Sequence, residues 1–233
     1  AFEEDLRKTE FEGYGTEIGP VLKEITYIQK NLRGWMAPRH QTTPIMFFPS
    51  SSKIITEPRG VSLVIGPWNY PFILVISALA NSIAAGNTTI IKPSEQAPAT
   101  AKAITAMLEE TYEPDYIGVV NGSGYLISKQ LIETHHLDII HFTGSTEVGK
   151  LIMQSAAKQL TPVILELGGK SPCIVAADAS IEYAAKKIAF SKLLNAGQTC
   201  IAADYLLVHE SVKDKLVAAL KKNIVAMHGP DAK

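Results

Sequence analysis

Cysteine is scarce in this sequence: the 233-residue chain has only two, Cys173 and Cys200. Two such thiols supply neither the paired spacing of a metal site nor the disulfide framework of a small secreted protein. The N-terminal segment AFEEDLRKTE is charged and lacks the apolar region of a signal peptide. The sequence therefore predicts no metal centre, no secretion and a cytoplasmic location with reduced thiols.

An excess of charge of one sign is also lacking, since the formal net charge is -1 and the lysines are scattered. A nucleic-acid-binding protein has a clustered basic patch instead, so no nucleic-acid partner is predicted. The strongest apolar run, FILVISALANSIAA at 72–85, contains Asn81 and is shorter than the roughly 20 residues that span a bilayer. The run predicts a buried helix, and no membrane contact is expected for this segment.

Short β-branched runs alternate with helical stretches from Val61 onward: VSLVIG, NTTIIK, YIGVVN, LDIIHF and PVILEL. This alternation is typical of an α/β protein with a Rossmann-like parallel sheet and helices on both faces. Before it, residues 9–33 have helical apolar periodicity, and the Pro-, Ser- and Thr-rich residues 36–60 predict an extended surface arm. After it, residues 168–233 predict a strand, a helix, a strand and a helix from Val212, the start of a second α/β domain.

Polar residues follow each of the five runs, at the point where a strand of such a sheet ends. Ligands of open parallel sheets bind beyond the carboxyl ends of the strands, so these segments are expected to converge at one edge. The segments are 67–69, 92–95, 121–124, 143–145 and 166–169.

The segment FTGSTEVGKL, residues 142–151, matches all but the last position of the phosphate-binding pattern G-x-x-x-x-G-K-[ST]. The last position needs a hydroxyl to hold Mg²⁺, and here it is Leu151, expected to continue an apolar stripe with Val148, Ile152 and Ala156. What remains is a strand, a glycine turn and a helix from about Ser145, whose N–H groups favour an anionic phosphate. A plain strand–helix turn is the alternative interpretation, because isolated glycine patterns are weak signals.

Three side chains suit thiol chemistry at a carbonyl group. Cys200 follows a Gly-Gln-Thr loop where a thiol is accessible for activation, whereas Cys173 lies in an apolar run and is expected to be buried. Glu166 is able to act as a base, and the Asn69 amide is able to stabilise an oxyanion. Taken singly, each has a plainer explanation: a packed thiol, a surface or helix-cap carboxylate, and a turn asparagine.

Five segments, in this order, resemble the motifs of the aldehyde dehydrogenase superfamily: PWNYP, IIKPSEQAP, FTGSTEVG, LELGGKSP and GQTC. The likeness runs over essentially the whole chain, and the motif sequences are most similar to those of the class 3 and fatty aldehyde dehydrogenase branch. The resemblance implies a dinucleotide-binding domain at 1–167 and the N-terminal part of a catalytic domain at 168–233. It also implies NAD(P)-dependent oxidation of an aldehyde to the carboxylic acid through a cysteine thiohemiacetal and thioester.

The resemblance implies a role for each matching residue. Cys200 is implied as the nucleophile and Glu166 as the general base, while Asn69 and the Cys200 backbone N–H form the oxyanion hole. Lys92 and Glu95 are implied to lie near the adenosine ribose. The residues implied to bind the cofactor are Trp68, Lys92, Glu95, Phe142, Gly144, Ser145, Thr146, Glu147, Val148, Gly149 and Gly168.

The implied cofactor is NAD, with NADP as the other candidate. A carboxylate about 4 Å from a 2′-phosphate costs up to ~4 kcal/mol at an effective dielectric of 20, so Glu95 favours NAD. The implied partners are a small aldehyde, apolar or aromatic, and a second copy of the chain in a homodimer.

Family members continue past the nucleophile and carry a Glu-x-Phe-Gly-Pro motif, which does not occur before Lys233. The chain also begins without Met. Both features predict a partial member of the family. Two alternatives to an active enzyme therefore stay open: a non-catalytic cofactor-binding fragment and a P-loop-type phosphotransferase, against which Leu151 argues.

Overall fold

The chain separates into two structural units, Ala1–Glu166 and Leu167–Lys233. The computed structural model describes residues 1–230. Each unit has a hydrophobic core of its own, one built on a five-stranded sheet and the other on a pair of strands with helices. No helix among residues 1–230 is both long and apolar enough to cross a membrane.

The helix predicted at 9–33 is confirmed, but its buried face differs from the expectation. The segments are α1 Phe2–Leu6, α2 Glu10–Gly13, a π-helical turn at Tyr14–Ile18, and α3 Gly19–Trp35. The apolar periodicity predicts Phe11, Tyr14 and Leu22 on the buried face, yet all three are mainly exposed. Helix α3 packs against the helix Ile73–Ala84, and the buried positions of the stretch are Gly13, Glu17, Val21 and Ile28, of which the apolar periodicity includes only Ile28.

The arm predicted at 36–60 forms a short antiparallel hairpin of β1 Arg39–Gln41 and β2 Ser52–Ile54. A single 3-10 turn, Ile45–Phe47, lies between the two strands. Most side chains of the arm are exposed, which confirms the prediction of an extended surface segment.

All five β-branched runs are strands of one sheet. They are β3 Val61–Ile65, β4 Thr88–Lys92, β5 Ile117–Val119, β6 Ile139–Gly144 and β7 Val163–Leu167. Their spatial order is β5-β4-β3-β6-β7, and the pairs β5-β4, β4-β3 and β3-β6 are parallel. In this register Val64 lies between Ile91 and His141. Numbered from β3, this order is 3-2-1-4-5, which matches the first five strands of the dinucleotide-binding Rossmann order 3-2-1-4-5-6.

Four helices connect the strands of the sheet: α4 Ile73–Ala84, α5 Pro98–Thr111, α6 Gly124–Thr134 and α7 Thr146–Ala157. The chain runs from β3 through β4 to β5 and then returns across the sheet to β6 and β7. Because such crossovers are right-handed, α4 and α5 cover one face and α6 and α7 the other. On the first face, Val64 and Ile91 pack with Val75, Leu79 and Ile104. The predicted α/β fold, with helices on both faces, is confirmed.

Two strands and two helices form the second unit: β8 Pro172–Val175, α8 Ile181–Leu193, β9 Tyr205–Val208 and α9 Lys213–His228. The strands are parallel, with Cys173 opposite Leu206. Val175, Ala185 and Leu216 form the centre of the buried core. The elements agree in type and order with the strand–helix–strand–helix sequence that was predicted for this region.

Candidate functional site

The strand order reverses between β3 and β6, the place where open parallel sheets bind their ligands. β3 is followed by the loop that carries Trp68 and Asn69, and β6 ends at Gly144 and is followed by Ser145. Because β3 and β6 are parallel neighbours, both loops leave the same edge of the sheet. Trp68 is 39% exposed and Asn69 is half-buried. The convergence predicted for these two loops is therefore present within the first unit.

Helix α7 begins directly at this edge, as FTGSTEVG predicts. The Ser145 hydroxyl accepts a hydrogen bond from the Val148 N–H at 3.2 Å, and the Ser145 carbonyl accepts one from the Gly149 N–H at 2.9 Å. Gly144 lies against the buried Phe142 ring, where a Cβ would come within 2.5 Å of Phe142 Cζ. Glycine is thus required for the close approach of the turn to the aromatic ring.

The polar side chains of the first turns of α7, Thr146, Glu147 and Lys150, are exposed to solvent. Leu151 is 38% exposed, so the expectation that it packs in the apolar stripe is wrong. The helix packs against α6 and β6, and close packing there selects smaller or differently spaced side chains. The buried positions are Gly149, Ile152, Ser155 and Ala156.

Lys92 and Glu95 connect the ends of two neighbouring strands. The Lys92 side chain is 1% exposed, and its Nζ donates to the Pro93 carbonyl at 2.9 Å and to Glu95 Oε2 at 2.8 Å. The other carboxylate oxygen, Glu95 Oε1, accepts from the Gly124 N–H at 2.8 Å. Burial raises the pKa of Glu95, but the hydrogen bonds from Lys92 and the backbone outweigh it and hold the pKa below its usual value. The Glu95 carboxylate is therefore a fixed negative charge.

Carboxylates cap three of the four helices that follow strands of the sheet. Glu17 accepts from the first N–H groups of α4, Asp5 from those of α5, and Glu95 from that of α6. Helix α7 is capped by the neutral hydroxyl of Ser145 instead. Glu147 also lies in its first turn but is exposed, where solvent and salt screen its charge. Among these four helices, the N-terminus of α7 has the greatest capacity left to attract an anion.

Glu166 is exposed on the edge strand β7, and His141 is half-buried on the neighbouring strand β6. Burial lowers the pKa of His141, and the negative charge of Glu166 raises it without cancelling that effect. The net pKa of His141 lies below its usual value. Glu166 thus has an accessible carboxylate and lies beside His141, whose lowered pKa means that it loses its proton at a lower pH than histidine in water.

Cys200 lies in the loop of the second unit between α8 and β9. Asn195 and Gly197 adopt left-handed backbone conformations, with φ of 55° and 79°. The buried Asn195 holds the loop together: its carbonyl accepts from the Gln198 N–H and from Gln198 Nε2, both at 3.0 Å. Cys200 itself is exposed and in no disulfide, so the thiol is accessible, as predicted.

The second unit holds two further residues that the sequence singles out. Cys173 packs against the core as predicted, but it is half-buried rather than buried. Gly168 is exposed, and a Cβ at this position would meet no atom within 4 Å. The backbone at Gly168 therefore has open space around it on its own unit.

Most of the predicted site residues lie in the first unit; Gly168 and Cys200 lie in the second. Sequence reasoning missed His141 and the buried pair Lys8 and Glu17. The only sequence signal for the pair is that Glu17 lies four residues after Gly13 and four before Val21, and both of these positions are buried. Such spacing is visible only once the buried face of the helix is known.

The profile of the aldehyde dehydrogenase family matches residues 2–232, and the chain therefore belongs to this family. Over 227 residues it is 48% identical to 4,4'-diaponeurosporen-aldehyde dehydrogenase of Staphylococcus aureus, with 97% of this chain and 49% of that protein covered. Over 233 residues it is 41% identical to the dimeric NADP-preferring aldehyde dehydrogenase of Canis lupus familiaris, with 98% and 50% covered.

A solved structure of the substrate-bound state of Staphylococcus aureus AldH has a TM-score of 0.95 to this chain at 45% identity. The match covers 99% of this chain and 50% of the chain in that structure. The chain thus spans about half the length of the curated relatives that it matches. Membership of this family removes the phosphotransferase alternative that the partial P-loop pattern had left open.

Proposed function

We propose that this chain carries the cofactor-binding and thiol-bearing part of an NAD(P)-dependent aldehyde dehydrogenase. The observation that supports it most is the reversal of strand order between β3 and β6, with the glycine turn and the N-terminus of α7 at that edge. Family membership supplies the reaction class, the oxidation of an aldehyde. The functional division at residues 167 and 168, into a dinucleotide-binding and a catalytic part, belongs to the same proposal.

The residues at the sheet edge fit a dinucleotide. Gly144 and Ser145 bring backbone and hydroxyl groups to the positive end of α7, which suits a pyrophosphate. Trp68 offers partly exposed aromatic surface beside this edge, the buried Phe142 ring supports the turn at Gly144, and Glu95 offers a fixed carboxylate for a ribose hydroxyl. When bound, the nicotinamide dinucleotide supplies the acceptor for the hydride that leaves the substrate carbon.

The chain's own residues supply the remaining chemistry. The Cys200 thiolate adds to the aldehyde carbonyl, because a thiolate is a strong nucleophile and its acyl product is a good acyl donor. The Asn69 amide donates a hydrogen bond to the oxygen that becomes negative. Glu166 accepts a proton from the water that releases the carboxylic acid. These roles come from the match of each residue to the family motifs and from the exposure of Cys200 and Glu166.

We infer a preference for NAD over NADP. Both oxygens of Glu95 are held by hydrogen bonds, from Lys92 and from the Gly124 N–H. A carboxylate fixed in this way repels a 2′-phosphate more than one free to swing aside. The canine relative is named NADP-preferring. The preference of this chain between NAD and NADP is therefore to be measured directly.

The substrate proposed from the branch resemblance is an apolar or aromatic aldehyde. A homodimer and a cytoplasmic location also remain predictions for this chain. The word dimeric is part of the canine relative's name, and both cysteines of this chain are free, as in a reducing compartment.

The proposal is tested by following NADH formation with a panel of aldehydes. Cys200→Ala is expected to abolish turnover and to leave NAD binding intact, whereas the matched Cys173→Ala variant keeps turnover. NAD binding without turnover in the unaltered chain supports the alternative of a non-catalytic cofactor-binding fragment. Absence of both NAD binding and turnover contradicts the proposed function.

A further inference from the structure

Lys8 and Glu17 form an ion pair inside the first unit, away from the catalytic groups named above. Lys8 Nζ lies 2.5 Å from Glu17 Oε1, and the side chains are 5% and 0% exposed. Lys8 lies between α1 and α2, and Glu17 lies in the π-helical turn before α3. A charge pair this deeply buried is unusual, because charged side chains are rarely removed from water completely.

Both partners reach a segment more than fifty residues further along the chain. Lys8 Nζ donates to the Asn69 carbonyl at 3.4 Å and lies 4.4 Å from the centre of the Tyr70 ring. Glu17 Oε2 accepts from the Phe72 N–H at 3.2 Å and from the Ile73 N–H at 2.9 Å. The ion pair therefore holds both ends of the turn 69–73, which connects the loop after β3 to helix α4.

Stability alone does not account for such a pair. Desolvating two charges costs about as much as their attraction returns, and apolar residues of similar size often replace buried pairs without loss. A buried polar network does, however, select one arrangement of the groups that it bonds. Here those groups are the carbonyl of Asn69 and the N–H groups of Phe72 and Ile73, so the arrangement that is selected is that of the turn.

We propose that the Lys8–Glu17 pair is a positioning device for Asn69, fixing the turn so that the Asn69 amide can act as an oxyanion donor. The proposal rests on the proposed function for the role of Asn69, but its geometric part does not. Neither Lys8 nor Glu17 is proposed to touch substrate or cofactor. Their effect on the reaction passes through the backbone of the turn, to which oxyanion stabilisation is sensitive because its donors must be preorganised.

The geometric part is tested with Trp68, which is adjacent to Asn69 and is one of two tryptophans in the chain. Trp35→Phe makes Trp68 the sole fluorescent reporter, and acrylamide quenching measures its accessibility. Trp68 is 39% exposed, so complete release raises the quenching constant by at most about 2.5-fold, and we expect about a twofold rise in Lys8→Met/Glu17→Gln. This double variant removes the pair without leaving one charge buried alone.

The matched control is the surface pair Lys158 and Glu133, which are 2.7 Å apart in the same unit and whose side chains are 64% and 26% exposed. Lys158→Met/Glu133→Gln is expected to leave the quenching of Trp68 unchanged. Unchanged quenching in a folded Lys8→Met/Glu17→Gln variant overturns the proposal. If that variant does not fold, Glu17→Asp keeps the charge but shortens the reach by one methylene, and quenching equal to that of the parent then overturns the proposal.

The catalytic part is tested by a double-mutant cycle on turnover. Lys8→Met/Glu17→Gln is expected to lower kcat about tenfold or more, since small misplacements of catalytic groups are costly. Asn69→Ala alone is expected to cost about 10²–10³ in kcat. In the Asn69→Ala background, removing the pair is expected to change kcat by less than about twofold, because nothing remains to be positioned.

Equal losses of kcat with and without Asn69 contradict the positioning role. An Asn69→Ala variant with unchanged turnover contradicts the proposed function of Asn69 instead, whereas a parent chain that binds NAD without turnover supports the alternative of a non-catalytic fragment. In both cases the quenching experiment still decides whether the pair fixes the turn, because that measurement needs no activity.

Discussion

The turn that carries Asn69 and the loop that carries Cys200 are held in different ways. In the first unit, the turn is fixed by side chains from a distant segment, Lys8 and Glu17, which are buried and charged. In the second unit, bonds of the thiol loop join Asn195 to Gln198, and the Asp204 N–H at the end of the loop donates to the Ser171 carbonyl. The groups that fix the turn are buried charged side chains, whereas these bonds of the loop are made by backbone and amide groups without charge.

The same contrast extends to the other groups of each unit. In the first unit, Asp5 of α1 is bonded to the start of α5, and Glu95 after β4 is bonded to the start of α6. The core of the second unit is smaller, and its sheet has two strands. Cofactor binding, which we propose mainly for the first unit, is therefore expected to withstand changes that alter the thiol chemistry of the second.

Among these variants, the largest effect on turnover is expected for Glu166→Gln. It removes a proposed catalytic group of the first unit without changing the side chains that hold its loops. Glu166 is exposed on an edge strand, so the substitution should leave fold and NAD binding intact. Glutamine does not accept a proton from water, and turnover should fall about 10²–10⁴-fold. NADH formation and NAD titration measure the two effects. Glu110→Gln, exposed on α5, is the matched control, and equal turnover in both variants removes Glu166 from the mechanism.

A smaller effect is expected for Glu95→Gln, which changes the first unit's cofactor choice without changing the thiol loop. Glutamine keeps an oxygen for the Gly124 N–H but loses the charge. The ratio of NADP to NAD use should rise about tenfold, equivalent to about 1.4 kcal/mol, since solvent screens part of the repulsion. Steady-state kinetics with both cofactors measure the ratio. Glu109 and Glu95 line the same groove beside α5, so Glu109→Gln is the control and should leave the ratio unchanged. An unchanged ratio in Glu95→Gln contradicts the proposed role of Glu95.

The sequence predicts the fold well wherever periodicity is sufficient. All five strands and the start of α7 at Ser145 lie where the β-branched runs and the glycine turn indicate. Hydrophobic alternation marks such elements because each strand or helix must bury one face. Side-chain chemistry singled out the candidate residues Cys200, Glu166 and Asn69, the family motifs assigned their roles, and these roles remain predictions.

Long-range polar ties could not be predicted from the sequence. Glu17 lies in a stretch where apolar spacing favours Phe11 and Tyr14, yet Glu17 is buried and they are exposed. Its burial depends on Lys8 and on N–H groups more than fifty residues away. No local pattern encodes such partners. Leu151 shows the same limit, because how deeply a helix residue packs depends on the neighbouring helix as well as on its own spacing.

Gly197→Ala tests how far the backbone conformation of the thiol loop contributes to stability. Gly197 has φ of 79°, and a Cβ there would lie 3.2 Å from the Lys192 carbonyl. The left-handed conformation costs a residue with a Cβ about 1–2 kcal/mol, so the free energy of unfolding should fall by that amount. Urea unfolding and the labelling rate of Cys200 measure the change, and NAD binding should be unaffected. Gly169→Ala, where a Cβ makes only ordinary contacts, is the control; equal stability of the two variants contradicts the strain.

The smallest effect is expected for the pH dependence that His141 gives the first unit. Burial, opposed in part by Glu166, places the folded-state pKa of His141 below its unfolded value of 6.5. Between these two values the unfolded chain binds more protons, so this contribution to stability is complete above pH 6.5 and is lost as the pH falls through the folded-state pKa. His141→Gln should therefore flatten the fall in urea midpoint between pH 8 and pH 5, with pH 8 as the internal reference. An equally steep fall in the variant would show that groups other than His141 cause it.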